Sequence, residues 1–241
     1  MSPNILTLEG VHTHIGAYHI LHGVDLVVPR GQLTLLLGRN GAGKTTTLRT
    51  IMGLWQASQG RITFGGEDIT ALHTPAIARK NIAYVPENMG IFADLTVKEN
   101  MLLAARGARQ ASQMDDARLQ WIFALFPAVQ KFWNHPAGKL SGGQKQMLAV
   151  SRAIVEPRDL LIVDEPSKGL APAIIQNMID AFQQLKASGV TILLVEQNLN
   201  FARQLGDTVA VMDDGRVVHA GSMQALAEDE TLQQSLLGLA L

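Results

Sequence analysis

The sequence contains no cysteine, which excludes disulfide bonds and thiolate metal sites. It also lacks an excess of either charge. Its formal net charge is −1, whereas nucleic-acid-binding proteins usually carry a strong basic excess, so we expect no nucleic-acid partner. No apolar run approaches the ~20 residues that a membrane-spanning helix requires, and the first residues show no signal-peptide pattern. We therefore expect a soluble, cytoplasmic protein that reaches a membrane only through a partner.

Three regions follow one another along the chain. Residues 5–37 contain strand-like runs and residues 61–70 read as a hairpin, which together indicate an antiparallel part. Residues 94–156 are helical in pattern, beginning with a capping-box spacing at Thr96 and Glu99. From residue 159 strands and helices alternate, and the apolar runs are continuous, as in a parallel sheet buried on both faces. We predict one α/β domain with a helical insertion.

The segment GRNGAGKTT follows the apolar run LTLLL and fits the phosphate-loop pattern G-x-x-x-x-G-K-[ST]. Its glycines let the backbone curl so that N–H groups point inward, and the helix that follows directs its positive end at a phosphate. Lys44 would contact the β- and γ-phosphates and Thr45 would bind Mg²⁺; the alternative is a glycine-rich turn. The predicted nucleotide-binding residues are Gly38, Arg39, Asn40, Gly41, Ala42, Gly43, Lys44, Thr45 and Thr46.

Two acids end the buried strand-like run LLIVDEP, at the sheet edge where ligands of parallel sheets bind. Asp164 is placed to hold Mg²⁺ directly or through water. Glu165 is placed to orient or deprotonate an attacking water. The alternative is a structural acid at the start of a helix that begins at Pro166.

The segment KLSGGQKQ carries two consecutive glycines at a helix start, where glycine is costly. Ser141 and Gln144 have capping-box spacing, which gives the segment a purely structural interpretation. A phosphate that approaches the backbone closely would also explain Gly142 and Gly143. Together with the phosphate loop, this second anion site indicates a nucleotide held between two chains.

The segments GRNGAGKTT, LSGGQ and LLIVDEP, in this order, resemble the Walker A, signature and Walker B motifs of ABC-type ATPase subunits. The resemblance covers about residues 5–237. It implies a P-loop NTPase core with a mostly parallel sheet, an N-terminal antiparallel β subdomain and an inserted helical subdomain at about 90–157, all within one domain of residues 1–241. It also implies a head-to-tail dimer, in which ATP on one subunit is closed by residues of the other, namely Ser141, Gly142, Gly143 and Gln144.

Three positions depart from the usual family pattern. Glu87 stands where glutamine is usual, Gln197 where histidine is usual, and Ala171 where an acid is usual. With the segments YVPE, GLAP and VEQN, these residues are similar to the second, LivF-type ATPase subunit of branched-chain amino acid importers. Importers of amides and urea use very similar subunits and remain an alternative.

The resemblance implies an ATPase that uses ATP and Mg²⁺ to power import of branched-chain or other hydrophobic amino acids. Its partners would be a homologous ATPase subunit, with a homodimer as the alternative, two transmembrane permease subunits and, indirectly, a periplasmic solute-binding protein. The chain would lie at the cytoplasmic face of the inner membrane, attached through the permease. The transported solute is left open.

Each departure has a physical interpretation. Gln197 cannot change charge as histidine does, but its amide can bond a γ-phosphate oxygen, leaving the base role to Glu165. Glu87 can ligate Mg²⁺ and link it to a permease-facing groove, or be a solvated loop acid. The aromatic residue that usually stacks on adenine is replaced by Ile15, and Tyr18 is the candidate substitute.

Other classes of function are weaker matches. A soluble ABC-type ATPase for iron–sulfur cluster assembly remains an alternative, although the three departures argue against it. DNA-repair relatives carry long coiled-coil insertions and translation-related relatives carry two cassettes, and this chain has neither. A GTP switch would need an N-K-x-D guanine-reading element, which the sequence lacks.

Overall fold

The computed structural model describes residues 3–105, 110 and 114–237. Its strands, in chain order, are β1 (Asn4–Ile15), β2 (Tyr18–Pro29), β3 (Leu33–Gly38), β4 (Ala57–Phe64), β5 (Glu67–Asp68), β6 (Ile82–Val85), β7 (Leu160–Asp164), β8 (Thr191–Val195), β9 (Thr208–Asp213) and β10 (Arg216–Ser222). Its helices are α1 (Lys44–Ile51), α2 (Thr74–Ala78), α3 (Val97–Ala104), α4 (Asp116–Leu125), α5 (Pro127–Lys131), α6 (Gly142–Ala153), α7 (Pro172–Ala187), α8 (Leu199–Leu205), α9 (Met223–Glu228) and α10 (Glu230–Leu237). Within this described part, no helix is both long and apolar enough to cross a bilayer.

The first sheet is antiparallel, with strand order β2-β1-β4-β5. The hairpin predicted for residues 61–70 joins β4 to β5. Gly65 and Gly66 form its turn with φ of 60° and 89°, a conformation that favours glycine. The predicted antiparallel part is therefore confirmed.

The second sheet has strand order β10-β9-β3-β8-β7-β6, and only β10 runs antiparallel to its neighbour. Successive residues of β3 face opposite hydrophobic clusters: Leu35 and Leu37 face one and Leu36 the other. Burial on both faces explains why the core strands are continuous apolar runs. The mostly parallel core is confirmed. Helices α3 to α6 are inserted along the chain between β6 and β7, which are neighbours in the sheet.

The carboxyl ends of four parallel strands meet at one edge of this sheet. In the spatial order β3, β8, β7, β6, they lead into the phosphate loop at Gly38, the Gln197 segment, the Asp164–Glu165 pair and the Glu87 loop. Ligands of open α/β sheets bind at such an edge. Strand order alone thus brings together segments that are far apart along the chain.

The β9–β10 turn joins the two sheets at the phosphate loop. Asp214 and Gly215 form the turn between β9 and β10 with φ of 40° and 71°. The Gly215 N–H donates to the Ala42 carbonyl at 3.0 Å, and the Gly215 carbonyl accepts from the His22 N–H at 2.9 Å. The antiparallel sheet is therefore fixed against the loop through this turn.

Candidate active site

The shape of the phosphate loop requires glycine at its two ends. Gly38 has φ of 150°, and a Cβ there would lie 2.4 Å from the Met212 carbonyl oxygen. Gly43 has φ of 100° and is the N-cap of α1, with no side chain capping the helix. The first turn of α1 thus directs N–H groups and a positive dipole end toward the loop, as an anion site requires.

Lys44 lies across this loop. Its Nζ donates to the carbonyl oxygens of Gly38, at 2.9 Å, and Arg39, at 3.0 Å, and lies 3.8 Å from Glu165 Oε1. Burial lowers the pKa of Lys44, while the charges of Glu165 and Asp164 act in the opposite direction. The ammonium is therefore a fixed point charge beside the carboxylates.

Thr45 and Asp164 form a pair of oxygen donors that fits Mg²⁺. Thr45 Oγ1 donates to Asp164 Oδ1 at 3.3 Å. Asp164 Oδ2 is buried and has no hydrogen-bond partner among the described residues. Burial raises the pKa of Asp164 to about 6, because removal from water disfavours the charged carboxylate. Carboxylate and hydroxyl oxygens are the donors Mg²⁺ prefers.

Glu165 adopts a strained backbone, with φ of 49°, and its N–H donates to the Val195 carbonyl at 2.9 Å. Its carboxylate accepts a hydrogen bond from Gln197 Nε2, which also donates to Asn40 Oδ1 at 2.7 Å. Strain of this kind in a non-glycine residue is concentrated at functional sites. The arrangement aims a carboxylate at the mouth of the phosphate loop.

Lys168 belongs to this site, and the sequence interpretation missed it. Its Nζ donates to Glu87 Oε1 at 2.6 Å and lies 3.4 Å from Glu165 Oε2. The hydrogen bond to Glu87, followed by the charge of Glu165, raises the pKa of Lys168. Its spacing from Glu165 was visible in the sequence, but Glu87 is 81 residues away.

These contacts form one row in the order of the strands. Asn40 follows β3, Gln197 follows β8, Glu165 follows β7 and Glu87 follows β6. Each is joined to the next by a hydrogen bond or ion pair, with Lys168 between the last two. The phosphate loop is thereby connected to the Glu87 loop entirely through side chains.

The Glu196 side chain makes none of the contacts of its neighbour Gln197, because successive side chains of an extended backbone point to opposite sides. Its carboxylate accepts from Ser167 N–H and Oγ, both at 2.9 Å, and from the N–H groups of Gln197 and Asn198 at 3.1 and 3.2 Å. It ties the segment after β7 to the segment after β8. Burial raises its pKa despite these bonds.

The candidate adenine contact lies at the end of the β1–β2 hairpin. Tyr18 is 76% exposed and pairs with Ile15 across the turn. The cavity of about 390 Å³ at the phosphate loop is lined on this side by Ile20. Stacking of adenine on Tyr18 stays a prediction.

The signature segment forms the capping box that its spacing predicts. Ser141 N–H donates to Gln144 Oε1 at 2.9 Å and Gln144 N–H donates to Ser141 Oγ at 3.3 Å. Gly142 is exposed, but a Cβ on buried Gly143 would lie 2.6 Å from Ile174 Cγ2. Close packing of α6 against α7 therefore requires glycine at position 143, whether or not a phosphate approaches the backbone there.

Ala171 is the N-cap of α7, and no side chain caps this helix. An acid, the usual family residue here, would be a good cap. The helix begins instead with Pro172, which suits a first helical position.

A groove of about 790 Å³ lies beside the Glu87 loop, between the core and the inserted helices. Pro86 and Asn88, on either side of Glu87, line it together with Leu103 and Arg152. Leu103 is 59% exposed. The groove therefore presents both apolar surface and a cation next to the site.

Known proteins are similar to this chain over nearly its whole length. The ABC transporter family model matches residues 21–168. The high-affinity branched-chain amino acid transport ATP-binding protein BraG of Pseudomonas aeruginosa is 39% identical over 236 residues, covering 97% of this chain and 100% of that protein.

Solved structures agree. The ADP conformation of MJ1267, an ATP-binding cassette of an ABC transporter, has a TM-score of 0.81 and 25% identity, covering 98% of this chain and 99% of that one. The structure of cbiO1 from Clostridium perfringens, part of an ABC transporter complex, has a TM-score of 0.82 and 26% identity, covering 100% and 96%. The chain therefore belongs to the ABC transporter family, as an ATP-binding, ATP-hydrolysing cassette.

Proposed function

We propose that this cassette powers a membrane importer of branched-chain or other hydrophobic amino acids. The full-length similarity to a branched-chain amino acid transport protein supports the solute class. In the proposed complex the cassette pairs with a homologous ATPase subunit and binds two permease subunits at the cytoplasmic face of the membrane. A periplasmic binding protein delivers the solute.

The hydrolytic step rests on one observation: the Glu165 carboxylate is held by Gln197 beside Lys44. Lys44 and the N–H groups of the loop hold the phosphates, and the Gln197 N–H that donates to Asn40 bonds a γ-phosphate oxygen instead. Glu165 accepts a proton from the attacking water, and its bond to Gln197 keeps it oriented. Oriented carboxylate bases contribute by accepting the proton in the transition state.

Thr45 and Asp164 would hold Mg²⁺, as their oxygen donors fit, and Glu87 would reach it through water while it stays paired with Lys168. When bound, Mg²⁺ neutralises charge on the β- and γ-phosphate oxygens. Glu87 also lies next to the groove, which we propose as the permease contact. A change at Glu87 should then alter coupling of hydrolysis to transport more than affinity for ATP.

The second half of the site comes from the partner subunit. Ser141, Gly142, Gly143 and Gln144 of one chain would close on ATP bound by the other. The positive end of α6 and the exposed Gly142 support this arrangement, because both favour close approach of a phosphate.

Glu165→Gln tests the hydrolytic role. The variant should bind ATP but lose hydrolysis by about 100- to 1,000-fold, because the amide cannot accept a proton. A rate near that of the unaltered chain would remove Glu165 as the base.

Uptake in cells tests the solute. Cells that lack this chain should lose uptake of radiolabelled leucine, and the chain, but not its Glu165→Gln variant, should restore it. Loss of urea uptake with normal leucine uptake would favour the amide and urea alternative instead.

A further inference from the structure

Lys168 lies between two carboxylates that the proposed reaction uses. Its Nζ is 2.6 Å from Glu87 Oε1 and 3.4 Å from Glu165 Oε2. Its backbone is fixed on both sides: Lys168 N–H donates to the Glu165 carbonyl at 3.2 Å, and Ser167 is bonded to buried Glu196. The loop therefore fixes the backbone of Lys168, and the two ion pairs hold its side chain, which is 58% exposed.

The charges around the phosphate loop require such a cation. Glu87 and Glu165, from neighbouring strands, line the cavity at the loop together with Lys44 and Lys168, and both carboxylates act on Asp164. Without Lys168, Lys44 and Arg49 would be the cations beside these three carboxylates, and Arg49 acts on Asp164. Like charges in such proximity disfavour one another and an incoming anion.

We propose that Lys168 is a positioning residue of the hydrolytic site, which neutralises Glu87 and orients Glu165. The inference rests on the proposed roles of these two glutamates. Glutamate at position 87 introduces a charge that the glutamine usual in the family does not have. Lys168 cancels that charge, so that Glu87 and Lys168 together behave as a neutral pair.

The two effects of Lys168 are separable. Neutralising Glu87 acts on binding, because an uncompensated carboxylate repels the phosphates. Orienting Glu165 acts on the chemical step, because a base must lie within hydrogen-bond reach of its proton. Removal of Lys168 should therefore weaken ATP binding and slow hydrolysis, and only the first defect should be repaired by neutralising Glu87.

The test is a double-mutant cycle of Lys168→Met and Glu87→Gln. Binding of a fluorescent ATP analogue is measured in a Glu165→Gln background, and kcat in the unaltered background. Lys168→Met should weaken binding about fivefold and lower kcat about tenfold. The double variant should recover binding to within about twofold while kcat stays low. Lys168→Arg, which keeps the charge, should retain most of the rate.

If the effects of Lys168→Met and Glu87→Gln on ATP binding were additive, Glu87 and Lys168 would not act as a neutral pair. If kcat were unchanged in Lys168→Met, Lys168 would not orient Glu165. The exposed Lys80–Glu67 ion pair supplies a matched control. Lys80→Met, Glu67→Gln and their combination should leave binding and kcat unchanged. Circular dichroism melting of every variant checks the fold.

The same set separates this inference from the proposed function. If Glu165→Gln hydrolyses ATP normally, the base assignment itself fails. If Glu165→Gln is inactive and Lys168→Met is normal, only the inference about Lys168 fails.

Discussion

Helices α1 and α6 both begin in glycine-containing segments, but only α6 has its N-terminus capped by side chains. α1 has Gly43 as N-cap, in a left-handed conformation, and no side chain caps it. α6 has a complete capping box between Ser141 and Gln144. The N-terminus of α1 leaves its N–H groups without a side-chain cap, as an anion site requires. The N-terminus of α6 has its N–H groups capped by side chains of the same chain.

This difference indicates how the two halves of the site are built. The α1 end has Lys44 and the row of side chains beside it within one chain, so in the proposed site it is the primary anion site. The N-terminus of α6 is capped within its own chain, and both residues of its capping box, Ser141 and Gln144, are uncharged. The box of α3 uses Glu99 at the equivalent place. In the proposed dimer a carboxylate at position 144 would repel the phosphate of the partner's ATP, whereas the amide would not.

Among these predictions, Lys44→Ala should have the largest effect on ATP affinity, because it removes the positive charge at the N-terminus of α1. We expect ATP affinity to fall about 100-fold, or about 2.7 kcal/mol, since a phosphate loses a charge-assisted contact. The increase in melting temperature caused by ATP measures this loss. An undiminished increase would contradict the role of α1 as the primary anion site.

Gln144→Glu should lower the hydrolysis rate about tenfold by placing a negative charge at the second end. The capping box would be kept, so the free energy of unfolding should change by less than about 0.5 kcal/mol. Glu99→Gln, the reverse exchange in the box of α3, is the control and should leave hydrolysis unchanged. Equal rates for Gln144→Glu and the unaltered chain would argue against a phosphate at α6.

Ser141→Ala should destabilise the fold by about 1 kcal/mol, because α6 loses its cap. Ser141→Asp should keep that stability, as Asp115 caps α4 in the same chain. Both variants should hydrolyse ATP slowly if the hydroxyl meets a phosphate. Urea unfolding and ATPase assays together separate the capping role from the binding role, and normal hydrolysis by Ser141→Asp would leave capping as the only role.

Acid should distinguish the two capping boxes, and this is the smallest expected effect. Hydrogen bonds from Thr96 lower the pKa of Glu99. The box of α3 is therefore intact above the usual glutamate pKa and is lost as the pH falls through the lowered value. Amide hydrogen exchange of Thr96, followed from about pH 6 to about pH 3, should rise relative to intrinsic rates, while Ser141 should stay protected. An equal rise in the exchange of the Thr96 and Ser141 amides with falling pH would contradict this expectation.

The sequence predicted the local features because each depends on a few adjacent residues. The glycine turns, both capping boxes and the alternation of buried strands followed from spacing and residue type.

Long-range contacts were not predictable in this way. The ion pair of Lys168 with Glu87 depends on β6 and β7 being neighbours, which no local pattern specifies. The contact of Gly143 with Ile174 depends on how α6 and α7 pack. Adjacent strands in the sheet come from distant parts of the chain, so the row of side chains emerges only from the topology.

The position of β3 has a consequence for the order of synthesis. β3 lies between β8 and β9, and the loop after it is fastened by the Gly215 N–H. Because chains are made from the N-terminus and domains fold as units, the phosphate loop cannot take its final shape until the ribosome has passed residue 215. A nascent chain that ends before β9 should therefore gain no protection from ATP, although it already contains every residue of the loop.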